Sequence, residues 1–111
     1  IVDLPGTYSL SAFSIEEVIA RDFIMNEKPD VVVAVLDASN LERNLYLAVQ
    51  ILELGAKLII DLNMSDLAES NGLKINEEKL SSALQSSIVR TVANKGEGID
   101  ALKDEILKYV N

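Results

Sequence analysis

Apolar residues along the chain switch between two spacings. The runs "VVVAVL" (31–36), "KLIIDL" (57–62) and "SIVRTV" (87–92) are short and rich in β-branched residues and read as strands, the first two buried within a sheet. Between them the apolar positions recur at helical spacing. "SIEEVIARDFIMNE" sets Ile15, Val18, Ile19 and Phe23 on one predicted face, and Ser14 with Glu17 has the spacing of a capping box. "DASNLERNLYLAVQILELG" predicts a helix with Leu41, Leu45, Ala48, Val49 and Leu52 inward and Gly55 as its stop. "EEKLSSALQ" reads as a short helix capped by Asn76, and "GIDALKDEILKYV" as a last amphipathic helix carrying Ile99, Leu102, Ile106 and Val110. "IVDL" at the start reads as the end of a further strand.

Strands alternating with helices pair in parallel through right-handed crossovers, which predicts an open α/β sheet. Ligands of such sheets lie at the carboxyl ends of the strands. The polar segments "DLPG", "NMSD" and "ANKGEG" each follow a predicted strand, so they are expected along one sheet edge. No repeat, low-complexity tract or linker divides the 111 residues, and residues 1–111 read as one domain.

Composition narrows the chemistry. The chain has neither cysteine nor histidine, which removes disulfides, the usual zinc sites and histidine-based acid–base catalysis. Eighteen acidic against ten basic residues give a formal charge of −8, a field that disfavours nucleic acid as a partner. A phosphate ligand would have to be held locally. No apolar run approaches the ~20 residues of a membrane-spanning helix, and a cytosolic segment is expected. The pairs Glu16/Glu17 and Glu77/Glu78 read as solvated helix faces, Tyr8, Phe13 and Phe23 as packing residues, and Arg21 as a surface ion-pair residue.

The three loop segments suit one ligand. In "DLPG", Asp3 at a strand end can hold a Mg²⁺-bound water, and Gly6 lets its N–H approach a γ-phosphate; Leu4 and Pro5 complete the segment. The same tetrapeptide is also ordinary turn sequence. In "NMSD", the Asp66 carboxylate can accept from guanine N1–H and the 2-amino group, a donor pair that adenine does not offer, while Asn63 can brace neighbouring loops and touch the base, with Met64 and Ser65 completing the nucleotide-binding segment. Asn and Asp are equally at home as helix caps. In "TVANKGEG", the Ala93 N–H can meet guanine O6, or the glycines can simply turn the chain from strand to helix. Order and context, each loop behind its own strand, strengthen all three.

At this point "DLPGTYSLSAFSIEEVIARDFI", "EKPDVVVAVLDASNLERNLYLAVQILELG" and the methionine of "NMSD" make the chain resemble the GTP-binding domain of the FeoB family of prokaryotic ferrous-iron transporters. The resemblance implies a Ras-like P-loop NTPase fold, a three-layer α/β architecture with a mostly parallel sheet and helices on both faces. It implies GTP and GDP with Mg²⁺ as ligands, and K⁺ as a candidate cation of the complete domain. Asp3 and Gly6 match the phosphate sensor, Asn63 and Asp66 the guanine motif, and Val92, Ala93 and Asn94 the last base loop. Thr7, Tyr8 and Ser9 fall in the second switch, which spans about residues 3–14. Thr7 stands where Ras-like GTPases carry a water-orienting glutamine, so slow hydrolysis is expected and no catalytic residue is assigned. Val92 replaces a serine common in the family, which leaves only backbone contacts there.

The Gly-x-x-x-x-Gly-Lys-Ser/Thr phosphate loop does not occur in the sequence, nor does the first switch. The resemblance therefore implies the C-terminal two-thirds of a G domain, incomplete at its N-terminus and lacking a central strand, so that paired edges are exposed. Its expected partners are guanine nucleotide, the remaining part of the G domain, and a helical domain and Fe²⁺ permease of the same protein at the cytoplasmic face of the membrane. Two rivals remain: a pseudo-GTPase or interaction module, and a translation-factor-like GTPase, in which position 64 would carry lysine.

Overall fold

Three of the predicted strands form one parallel sheet in the order β1 (Val32–Asp37), β2 (Leu58–Asn63), β3 (Ser87–Thr91). The computed structural model describes residues 2–4, 15–64, 77–92 and 95–110. Its helices are α1 (Ile15–Glu27), α2 (Leu41–Glu53), α3 (Glu77–Leu84) and α4 (Ile99–Leu107), with a 3₁₀ turn at Ala38–Asn40 before α2. The expected caps Ser14 and Asn76 lie outside the described residues.

β2 is the central strand, and its residues Leu58 to Leu62 are all buried. Burying each of its Leu and Ile side chains contributes about 2 kcal/mol. On one face Ala34, Leu36, Leu58 and Ile60 pack with Ala20 and Ile24 of α1 and Ala48 and Ile51 of α2. α4 packs against β3 and β2, where Ser87 donates to Glu105 at 2.7 Å and lies 3.1 Å from the Tyr109 hydroxyl. Ile99, Leu102 and Ile106 are half-buried there, whereas Val110 lies past the helix end and is exposed. Glu77 of α3 pairs with Arg90 of β3 at 2.6 Å. Arg21 pairs with its neighbour Asp22 at 3.4 Å, a surface ion pair as expected.

Four expectations are corrected. β1 is buried on one face only: Val35 is 65% exposed, on the face where α4 packs chiefly against β3 and β2. Val2–Leu4 carry no strand, although Leu4 packs against the core. β1 bonds only to β2 among the described residues, and an extended segment without a ladder partner remains irregular. α1 turns a different stripe inward, with Ala20 and Ile24 buried while Ile15 is 76% and Ile19 48% exposed. Ala20 stands roughly 140° around the helix from Ile15, so the two apolar stripes compete and the one with the small residue fits against the sheet. On α2, Val49 is exposed and Ile51 is buried in its place, since Val49 stands about 100° beyond Ala48.

Two glycines illustrate different constraints. Gly55 (φ 83°) ends α2, its N–H bonding to the Leu52 carbonyl at 2.9 Å, and has open space where a Cβ would be. Gly98 (φ 80°) precedes α4 and rests on β3, where a Cβ would collide with the Arg90 carbonyl oxygen and lie 3.0 Å from the Thr91 Cα. In chemical denaturation Gly55→Ala is expected to cost about 1 kcal/mol, the conformational penalty alone. Gly98→Ala is expected to cost about 3 kcal/mol, because β3 must also move. Equal costs would contradict the close approach.

Candidate functional site

Parallel register brings the carboxyl ends of the strands level. Asp37 stands opposite Asn63, and Asn63 opposite Thr91. The loops after β2 and β3 therefore leave the sheet side by side, where α/β folds bind their ligands. Two clefts lie elsewhere: one of about 290 Å³ beside Ile24, Lys28, Pro29, Gly55 and Lys57, at the amino ends of β1 and β2, and an open one of about 540 Å³ beside α3.

Each strand end is fixed by its own bonds. The Asp37 carboxylate accepts from the Ser39 N–H at 2.9 Å and the Ser39 hydroxyl at 2.7 Å, capping the 3₁₀ turn, while Asn44 donates to the Asp37 carbonyl at 3.3 Å. Met64 donates its backbone N–H to the Thr91 carbonyl at 2.7 Å, continuing the β2–β3 ladder one residue past the strand. Its side chain is buried with Ala38, Leu62 and Val92, an apolar floor beneath the edge. A lysine at position 64 would put an ammonium group into that floor, so methionine has a packing reason here.

The loop after β3 closes on itself. Val92 donates to the Glu97 carbonyl at 2.9 Å, and its own carbonyl accepts from Lys95 at 3.0 Å and Glu97 at 3.2 Å. Val92 thus clamps the turn with its backbone and anchors it with a buried side chain. Asn63 is half-buried at the end of β2, and Asp3 is exposed. Pro5, Gly6, Thr7, Tyr8, Ser9, Ser65, Asp66, Ala93 and Asn94 lie outside the described residues. The predicted gathering of loops is thus seen for Asn63–Met64 and Val92.

Sequence reasoning passed over Asp61. It is 6% exposed in the middle of β2, and its carboxylate accepts from the hydroxyl of Thr91, itself 1% exposed. The signal was a lone acidic residue inside "KLIIDL". Burial raises the Asp61 pKa above its ordinary 3.8, and the Thr91 hydrogen bond offsets part of that rise. Among the described residues no cluster of three or more acidic side chains could hold a metal ion, and no helix is long and apolar enough to cross a membrane.

The family model described as "Ferrous iron transport protein B" matches residues 1–106. The Fe(2+) transporter FeoB of Escherichia coli K12 is 46% identical over 113 residues, an alignment that covers 98% of this chain and 15% of that protein. The chain thus spans about a seventh of the length of its curated relatives. Among solved structures, the FeoB G-domain from Methanococcus jannaschii superposes with a TM-score of 0.93 at 53% identity, covering 98% of this chain and 70% of that one. The cytosolic domain of the T. maritima FeoB iron transporter in its GMPPNP form gives a TM-score of 0.88 at 40% identity, covering 97% and 44%. The Ras-like P-loop architecture expected from the sequence is thereby shown.

A raised pKa means that the folded chain binds the Asp61 proton more tightly than the unfolded chain. Asp61 therefore favours folding most below pH 3.8, and that contribution falls as pH rises through the folded pKa. Asp61→Asn keeps an acceptor for Thr91 and does not titrate. The melting temperature of Asp61→Asn relative to the parent should accordingly rise between pH 4 and pH 7. A difference that stays flat or falls would contradict a desolvated carboxylate.

Proposed function

The chain belongs to the ferrous iron transport protein B family, and from that premise we propose that residues 1–111 form the guanine-recognising and switch-bearing part of its GTPase domain. The observation that carries this reading is the register of Asn63 with Thr91, which levels the strand ends from which the chain continues toward Asp66 and Asn94. A relative solved in a GMPPNP form supports a guanine nucleotide as ligand.

In this reading Asp66 accepts from guanine N1–H and the 2-amino group, and Asn63, Met64 and Ser65 hold it there. The Val92 N–H is spent on Glu97, so Val92 supports the loop and the Ala93 N–H meets guanine O6, with Asn94 beside it. Asp3, exposed and ahead of Leu4 and Pro5, suits a Mg²⁺ held through water better than direct ligation. The metal would neutralise charge developing on the phosphates. Gly6 reports the γ-phosphate, and Thr7, Tyr8 and Ser9 carry the signal as the switch, spanning about 3–14. With threonine at position 7, hydrolysis of GTP to GDP and phosphate is slow.

No Gly-x-x-x-x-Gly-Lys-Ser/Thr sequence occurs among the 111 residues, and the chain matches 70% of a G-domain structure. The phosphate cradle, and any K⁺ site, therefore belong to the remainder of the domain, and these residues alone do not turn over GTP. Fe²⁺ is the cargo of the whole transporter. The partners of this domain are a helical domain and a permease in the same polypeptide, at the cytoplasmic face of the membrane.

The test is titration of fluorescent GDP and ADP into the chain alone and into the same chain extended upstream through a phosphate loop. Guanine-selective binding is expected in the extended form only, and no binding in either would overturn the proposal in favour of an interaction module. Asp66→Asn in the extended form should move preference toward xanthine nucleotides, whose C2 carbonyl accepts from the new amide. Undiminished guanine preference would remove Asp66 from the site.

A further inference from the structure

The Asp61–Thr91 pair has no part in the recognition just described, yet it occupies the ground between the two base loops. Asp61 lies two residues before Asn63, and Thr91 one residue before Val92. In the ladder Asp61 faces Val89, and Thr91 faces Asn63. The hydroxyl-to-carboxylate bond therefore runs diagonally across the sheet, joining β2 to β3 independently of their backbone pairing. The last main-chain tie, Met64 N–H to Thr91 carbonyl at 2.7 Å, meets the same threonine. Both ends of Thr91 are thus attached to β2 within four residues of chain, Asp61 through Met64, that lead straight into the guanine loop.

The cost of this device makes it informative. Ile59, Ile60 and Leu62 around Asp61 are fully buried, and an apolar residue there would pack without the penalty of a desolvated carboxylate. The bond supplies direction instead. A hydroxyl has one proton to give, and Thr91 gives it to Asp61, which fixes where the β3 end stands relative to the β2 end. Recognition of a flat base by two loops depends on their spacing to within ~0.5 Å.

We propose that Asp61 is a positioning residue for guanine recognition, acting through Thr91 to set the spacing between the loops 63–66 and 92–94. The inference rests on the nucleotide-binding reading above and adds a residue that touches no ligand. Its signature is loss of base discrimination, because the phosphates are held elsewhere.

The experiment compares GDP with inosine diphosphate, which lacks the 2-amino group, in the intact protein that carries this chain. Thr91→Val and Asp61→Val should each lower GDP affinity about tenfold and reduce its advantage over inosine diphosphate. Thr91→Ser and Asp61→Asn keep donor and acceptor, and should return both quantities to within about threefold of the parent. The double variant Asp61→Val/Thr91→Val replaces the polar pair with apolar groups of similar size. It should fold cooperatively, as judged by near-ultraviolet circular dichroism and melting, and still discriminate poorly. Should a single variant fail to fold, the double variant decides. A folded double variant with parental discrimination overturns the inference while leaving the GTPase reading intact. A parent without any guanine preference overturns the GTPase reading, and the inference with it.

Discussion

The central strand β2 is hydrogen-bonded in parallel on both edges and buried on both faces, and the placement of everything else follows from it. Parallel pairing levels the strand ends, so Asp37, Asn63 and Thr91 open onto one edge. A one-residue slip of β2 would move Asp61 to the α1/α2 face and expel Ile60 from the core cluster. Burial thus fixes register, and register fixes the site.

The edge itself combines an apolar floor with bonds that aim the chain. Met64 and Val92 give the loops a common buried base with Ala38 and Leu62. Above it, the Val92–Glu97 bridge closes the loop after β3, and Gly98 lets the start of α4 rest directly on the Arg90–Thr91 backbone. Asp61 and Thr91 add a side-chain tie that stability alone would not require. In the proposed reading, the same few residues at the ends of β2 and β3 serve both the scaffold and base recognition.

Three strands were legible in the sequence because they are short β-branched runs, too short for a helix of ordinary length, whereas "IVDL" reads the same way and its residues Val2–Leu4 carry no strand. Helix faces were less so. Ile15 and Ile19 are more hydrophobic than Ala20, yet Ala20 lies against the sheet, since close packing selects shape over hydrophobicity. Val35 reads like its buried neighbours, yet it lies exposed on the face where α4 packs chiefly against β3 and β2. Of the site, the placement of Asn63, Met64 and Val92 at one edge followed from strand–loop order. Val92's role as a clamp did not, because the Glu97 bridge depends on a turn whose geometry the sequence does not spell out. Asp61 was visible as an acidic residue in a buried run, but its partner lies thirty positions away on another strand.

The central claim is that guanine recognition is built on the aligned carboxyl ends of β2 and β3. Hydrogen exchange of the intact protein with and without GDP tests it at single amides. The Met64 N–H, bonded to Thr91 at 2.7 Å, and the Val92 N–H, bonded to Glu97 at 2.9 Å, should slow markedly when GDP binds. The Val32 N–H, bonded to Lys57 at 2.8 Å at the other end of the sheet, should slow no more than global stabilisation requires. Protection that falls on Val32 and spares Met64 and Val92 would contradict the account.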